Sequence, residues 1–195
     1  MRQEYQVNSS SLRLDEFLPK HHFGEKHSTH INASPQQVFR AIYDCNIGKS
    51  SIIRLLIKIR KGFGWLFSNK AEQLELGNLA AFTAAAGFIL LSESIGSEIL
   101  FGFAGRFWQP AGTFVRGLTP AEFLRFNSPD YCKGGWNFYV SANPDGTTTL
   151  FTETRVLCLG WAKLLFPPYW LIVRPFSSWI RLELLRLIKE QAEKN

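Results

Sequence analysis

Residues 97–108 read Ser-Glu-Ile-Leu-Phe-Gly-Phe-Ala-Gly-Arg-Phe-Trp. Ile99, Phe101, Phe103, Gly105 and Phe107 alternate with Glu98, Leu100, Gly102, Ala104, Arg106 and Trp108. Successive side chains of a strand point to opposite faces, so this stretch makes a strand with one strongly aromatic face. Upstream, residues 87–93 form a second strand, joined to it as a hairpin across Ser94-Ile95-Gly96. Downstream, residues 122–127 read as a further short strand. Residues 134–142 and 147–159 then pair across Asn143-Pro144-Asp145-Gly146, a turn sequence.

Helical patterns flank this meander. Residues 25–32 read as a first strand ending in Ala33-Ser34-Pro35, where Ser34 suits an N-cap and Pro35 the first helical position. Val38, Phe39 and Ile42 supply the buried side of that helix. A second helix is expected over 49–60: Ile52, Leu55, Leu56 and Ile59 form an amphipathic stripe opposite Arg54, Lys58 and Lys61, and Gly62 and Gly64 stop it. Alanine-rich content places a short helix between residues 79 and 86. The chain closes on a helix over 170–192, with Pro175 marking a start or a kink. Projected at about 100° per residue, Val173, Phe176, Ile180, Leu184, Leu187 and Ile188 share one face. Arg181 falls inside that apolar arc. An unpaired guanidinium there is costly, so Arg181 should meet an acidic partner or a cavity rather than bulk water.

This order implies an α+β domain: a curved antiparallel sheet of about six strands around a long C-terminal helix, which alone is long enough to cover the apolar face. Two shorter helices follow the first strand. Residues 1–24 lack periodicity and read as a lead-in that docks on the domain through Leu12, Leu14, Phe17 and Leu18; residues 25–195 form that single domain.

Composition narrows the function. A chain of 195 residues, 46% hydrophobic and 19% charged, supports one substantial core. Its 17 Phe, 6 Trp and 5 Tyr fill a large core or line a cavity. The net charge of +6 suits anionic partners, but the cations are scattered. No helix-turn-helix, zinc-finger or stacking-platform pattern accompanies them, so no nucleic acid is expected. Cys45, Cys132 and Cys158 are an odd, widely spaced set, and Met1 precedes a polar stretch rather than a signal peptide; a cytoplasmic protein is the expectation. The longest apolar run, residues 79–91, is too short to span a bilayer, so no stable membrane insertion is expected. Transient membrane contact through Trp65, Phe67, Phe166, Trp170 and Trp179 stays open, as does oligomeric state.

Catalytic signatures are sparse. His21, His22, His27 and His30 cluster in sequence, yet His27 and His30 point to opposite faces of a strand and no Cys, Asp or Glu stands at zinc-motif spacing, so neither metal nor cofactor is expected. There is no Gly-x-Ser-x-Gly elbow, and the cysteines have no evident histidine partner. Gly102 and Gly105 sit within a strand, where they permit close packing. Glu93, Glu98, Arg106, Glu153, Arg155 and Arg181 are the polar groups of interest, with Glu153 and Arg155 on one strand face. Arg181 either ties helix to sheet in an ion pair or anchors the polar end of a ligand in an apolar cavity.

The stretch from His27 to Ile31 running into Ala33-Ser34-Pro35-Gln36-Gln37-Val38-Phe39 resembles the first strand and helix entry of the START-related helix-grip superfamily. Further matching stretches are residues 98–108, Thr152-Glu153-Thr154-Arg155-Val156, and the helix after Tyr169-Trp170. That superfamily includes START lipid-binding domains, birch-pollen-allergen-like proteins and polyketide cyclase- or dehydratase-like proteins. The resemblance covers most of the chain from Glu25 onward. It implies an internal cavity between sheet and C-terminal helix that takes a hydrophobic small molecule or lipid, and it carries over no catalytic residue.

Strand alternation and this resemblance nominate Phe88, Leu90, Phe101, Phe103, Phe107, Trp136, Phe138 and Val140 as ligand-binding, with Arg181 and Glu153 as polar partners; the alternative for each ring is plain core. Three functions remain: a non-catalytic binder, a cyclase- or dehydratase-type enzyme using the same cavity, and an interaction module with a filled core. The enzyme requires a carboxylate or histidine directed into the pocket beside a second polar group.

Overall fold

The computed structural model describes residues 12–55, 77–109 and 114–194. Among them α1 (Arg13–Phe17) precedes β1 (Phe23–Ile31) and α2 (Pro35–Asp44). After a 3-10 turn (Ile47–Lys49), residues 51–55 are helical; the rest of the expected second helix, with Gly62, Gly64, Trp65 and Phe67, lies outside the described residues. Next come α3 (Leu79–Ala85), β2 (Ile89–Ser94), β3 (Glu98–Gly105), α4 (Pro120–Arg125), β4 (Cys132–Ala142), β5 (Thr148–Cys158) and α5 (Ala162–Ala192).

The strands form one antiparallel sheet of five in the order β1-β5-β4-β3-β2. Of the stretch 122–127, expected as a strand, residues 122–125 are instead the end of α4 and Phe126 caps it. Thr119 accepts from the Glu122 N–H while Glu122 accepts from the Thr119 N–H, and Pro120 occupies the first turn. That reciprocal cap starts a helix whatever the apolar content behind it. The same device starts α2: Ser34 and Gln37 cap each other and Pro35 follows. Gly87, at φ 82°, ends α3 and turns the chain into β2.

Both faces of the sheet are covered. On the inner face α2 and α5 pack over Ile31, Ile99, Phe101, Phe138, Leu150 and Val156. On the outer face Leu14 of α1 and Leu18 just after it, with Phe123 of α4, cover Leu91 and Leu100. This explains why β3 is buried along its whole length and carries Leu100, Gly102 and Ala104 where a half-solvated strand would carry polar residues. Glycine makes the outer layer possible: a Cβ at Gly135 would stand 2.6 Å from Leu14 Cδ1.

The closing helix begins eight residues before the expected start at 170 and runs through Pro167, Pro168 and Pro175. Pro168 and Pro175 are exposed, as are Leu164 and Leu171, whose carbonyls they leave without an intrahelical N–H. On an exposed side of a helix solvent can replace the missing donor, which is why prolines are tolerated there. Among the described residues no helix is long and apolar enough to cross a membrane.

Candidate functional site

The inner face of the sheet is built in cross-strand rows. Trp136, Thr154 and Glu25 stand in register on β4, β5 and β1, and Phe138, Thr152 and His27 form the next row. Because side chains alternate, each row presents its residues to the inner face, which α5 covers over β1 and β5 and α2 covers over β4. α5 lowers Arg181 onto the first row. Its Nη1 donates to Glu25 Oε2 at 3.0 Å and to Ser177 Oγ at 2.7 Å, and its Nε donates to Thr154 Oγ1 at 3.0 Å. Arg174 reaches the other carboxylate oxygen of Glu25 at 3.2 Å. Arg181 is thus buried against an acid, as its place in the apolar arc required.

The second row carries His27, whose Nε2 lies 3.2 Å from Ser178 Oγ. Burial lowers the pKa of His27 below its ordinary value, against the pull of nearby Glu25, which favours a neutral ring at neutral pH. Such a ring can exchange a proton with a neighbouring hydroxyl. His22 accepts from the Cys158 N–H at 3.1 Å, and His30 lies 3.4 Å from Asn143 Nδ2. These three histidine contacts go to different partners. Among the described residues no group of three or more His, Cys, Asp or Glu is placed to hold a metal ion.

Beside the Trp136 row the aromatic side chains meet one another. Phe88 stacks on Phe103 at 4.8 Å between centroids and meets Trp136 edge-on at 6.0 Å. Trp136 continues to Phe101 at 6.2 Å and Phe138 at 5.0 Å. Phe107 joins Phe103 at 5.5 Å and Phe166 of α5 at 5.6 Å. Gly134 makes room: a Cβ there would stand 2.3 Å from Phe103 Cζ. The Trp136 indole N–H is satisfied by Thr152 Oγ1 at 2.8 Å. Phe88 and Phe107 are half-buried, whereas Phe101, Phe103, Trp136 and Phe138 are buried.

Of the residues nominated from sequence, the structure brings together Phe88, Phe101, Phe103, Phe107, Trp136 and Phe138, with Arg181 over the same cross-strand row as Trp136. Val140 is buried further along β4, paired with Leu150, and Leu90 is exposed on edge strand β2. Glu153 does not meet Arg181. It lies on the outer face, where Arg155 Nε donates to it at 2.6 Å and Arg155 Nη1 donates to Asp15 at 2.6 Å. Strand parity decides this, since Thr154 faces inward and its neighbours face outward. Glu25, Ser177 and Ser178 were not singled out, and His27 was weighed only as a metal ligand. The available signal was the spacing of two between Glu25 and His27 on one strand face. Among the suggested entrance rings, Phe166 is buried, Trp170 half-buried and Trp179 exposed.

Two hollows lie on the outer face beside α1. One is a groove of about 300 Å³ lined by Leu12, Arg13, Glu16, Ser94, Ser97, Glu98 and Tyr139, and the other, of about 10 Å³, lies against Asn137 and Phe151. In the groove Glu98 accepts the Arg13 N–H at 2.9 Å, placing a carboxylate at the start of α1.

No protein-family model matches the sequence, and no curated protein matches it. Among solved structures, the crystal structure of TTHA0849 from Thermus thermophilus is similar, at 10% sequence identity and a TM-score of 0.30, covering 87% of this chain and 97% of that one.

Proposed function

We infer that this chain binds a hydrophobic small molecule or lipid between the sheet and α5. Its apolar body would lie among Phe88, Phe101, Phe103, Phe107, Trp136 and Phe138, with its polar end toward Arg181. The observation that carries this reading is the adjacency of the ring cluster to a buried polar row: Trp136 and Thr154 are register partners, and Thr154 accepts from Arg181. An apolar surface with a few convergent polar groups is the pattern of small-molecule sites. Binding requires the rings to part, and Phe88 and Phe107 are the half-buried members of the cluster. Transport or sequestration suits this arrangement better than turnover, since Glu25, the carboxylate on this row, is already engaged by Arg181 and Arg174.

A second reading draws on the same contacts. Rings 4.8–6.2 Å apart are in mutual contact, which favours a core filled by the protein's own side chains and a role exercised at its surface. Native mass spectrometry of the protein purified from its own host separates the two. A retained molecule of discrete mass, released by organic solvent, is the result expected of the binder. Repeated recovery of the bare chain, together with no uptake of a fluorescent fatty acid, overturns it in favour of the filled core.

A further inference from the structure

Helix α5 is apolar on two sides, and the described structure covers only one of them. At 3.6 residues per turn, the exposed apolar positions from Trp161 to Leu182 fall within an arc of about 120°. Every residue in that arc is Trp, Leu, Ile or Pro. Trp161 is 67% exposed, Leu171 77%, Ile172 59% and Trp179 59%. At 1.5 Å per residue the stripe runs about 32 Å. Isolated exposed apolar residues are ordinary, but a continuous stripe of this length marks a contact surface. A helix apolar on both sides needs a second partner beyond its own sheet.

Charge indicates which partner. From Trp161 to Leu182 the sequence contains Lys163, Arg174 and Arg181 and no acidic residue, within a chain of net charge +6. Arg181 and Arg174 both engage Glu25, but the Arg174 side chain stays 61% exposed, and Lys163 is exposed on the same side of the helix. A twofold pairing of two such stripes would centre near Leu171 and Ile172. It would bring two Arg174 side chains, each 61% exposed, toward each other, and like charges oppose that arrangement. A convex apolar ridge with tryptophan near both ends and cations at its border suits the headgroup–acyl boundary of a membrane carrying anionic lipid.

We propose that the outer face of α5 docks this protein on anionic lipid membranes, lying in the interface with Trp161, Leu164, Leu171, Ile172, Trp179 and Leu182 inserted. The site is separate from the ring cluster and does not rest on the ligand reading. The test is co-sedimentation of the full chain with vesicles of phosphatidylcholine alone and vesicles with about one-third phosphatidylserine. The wild-type chain is expected to pellet with the anionic vesicles and to remain largely in solution with the neutral ones. The double variant Leu171→Glu/Ile172→Glu, altered only at exposed positions, should lose about tenfold or more of its partitioning while keeping its circular-dichroism melt. Should that variant fold poorly, brominated-chain lipids decide on the folded protein: they should quench wild-type fluorescence and quench Trp179→Phe markedly less. Wild-type protein that stays in solution with anionic vesicles, or no difference in quenching, overturns the proposal. So does a wild-type dimer that the double variant converts to monomer, which would make the stripe a protein interface.

Discussion

Arg181 on α5 and Glu25 on β1 meet at 3.0 Å across 156 residues of sequence, both with side chains less than one-tenth exposed. Removing one partner leaves the other charge buried, which costs far more than replacing both. Arg181→Met should therefore destabilise the fold by about 3 kcal/mol, softened by the second contact from Arg174 to Glu25. Glu25→Gln should do similar damage. Urea melts of the two single variants and of the double variant test this, and a double variant at least as unstable as the sum of the singles would refute it.

Gly134 should resist substitution. An alanine Cβ there would press on Phe103 Cζ at 2.3 Å and on the Arg155 carbonyl oxygen at 2.9 Å. Gly134→Ala is expected to cost about 1–3 kcal/mol as Phe103 is forced off its stack with Phe88. Adding Phe103→Leu should recover part of the loss. A calorimetric melting temperature for Gly134→Ala equal to wild type would show that the ring is not held there.

Stability should fall as the solution is acidified below the ordinary histidine range. Burial lowers the folded-state pKa values of His27 and His22, so the unfolded chain binds protons that the folded chain resists. The contribution is fully present above about pH 6.5 and is lost as pH falls from there toward the folded values. Thermal melts between neutral and mildly acidic pH should show this slope, and His27→Gln, which keeps a polar partner for Ser178, should flatten it. An unchanged slope in that variant would remove His27 from the account.

The thiols should be inert in the folded state. Cys132 and Cys158 are register partners with sulfurs 3.1 Å apart, and both are buried, as is Cys45. The hydrogen bond between the pair and their burial push the Cys132 pKa upward, so thiolate is scarce. Reduced protein should react with Ellman's reagent at a small fraction of the free-thiol rate, and fully once unfolded in guanidinium. Fast labelling of the native chain at neutral pH would contradict the burial.

Local signals were legible wherever neighbouring residues decide the outcome. Ser34-Pro35 announced α2, and the alternation from Glu98 to Gly105 announced β3. Thr119-Pro120-Ala121-Glu122 carried the same start signal as α2, but the apolar Phe123 and Leu124 behind it read as strand. Pro167, Pro168 and Pro175 hid the first two turns of α5, because proline scores against a helix unless its orphaned carbonyl faces water. With that start missed, the outer apolar stripe from Trp161 was missed too.

The sequence by itself determined the period-two aromatic strand, the capped helix starts, the turn at residues 143–146 and the inward direction of Arg181. Each follows from sterics and periodicity within a few residues. Only the tertiary structure decided that Glu25 rather than Glu153 meets Arg181. That choice depends on the register of β1 against β5 and on which face of the sheet α5 covers, and no local pattern contains either. The same holds for the two apolar sides of α5. A helical projection shows that both exist, but only packing determines which side the sheet takes and which is left to solvent.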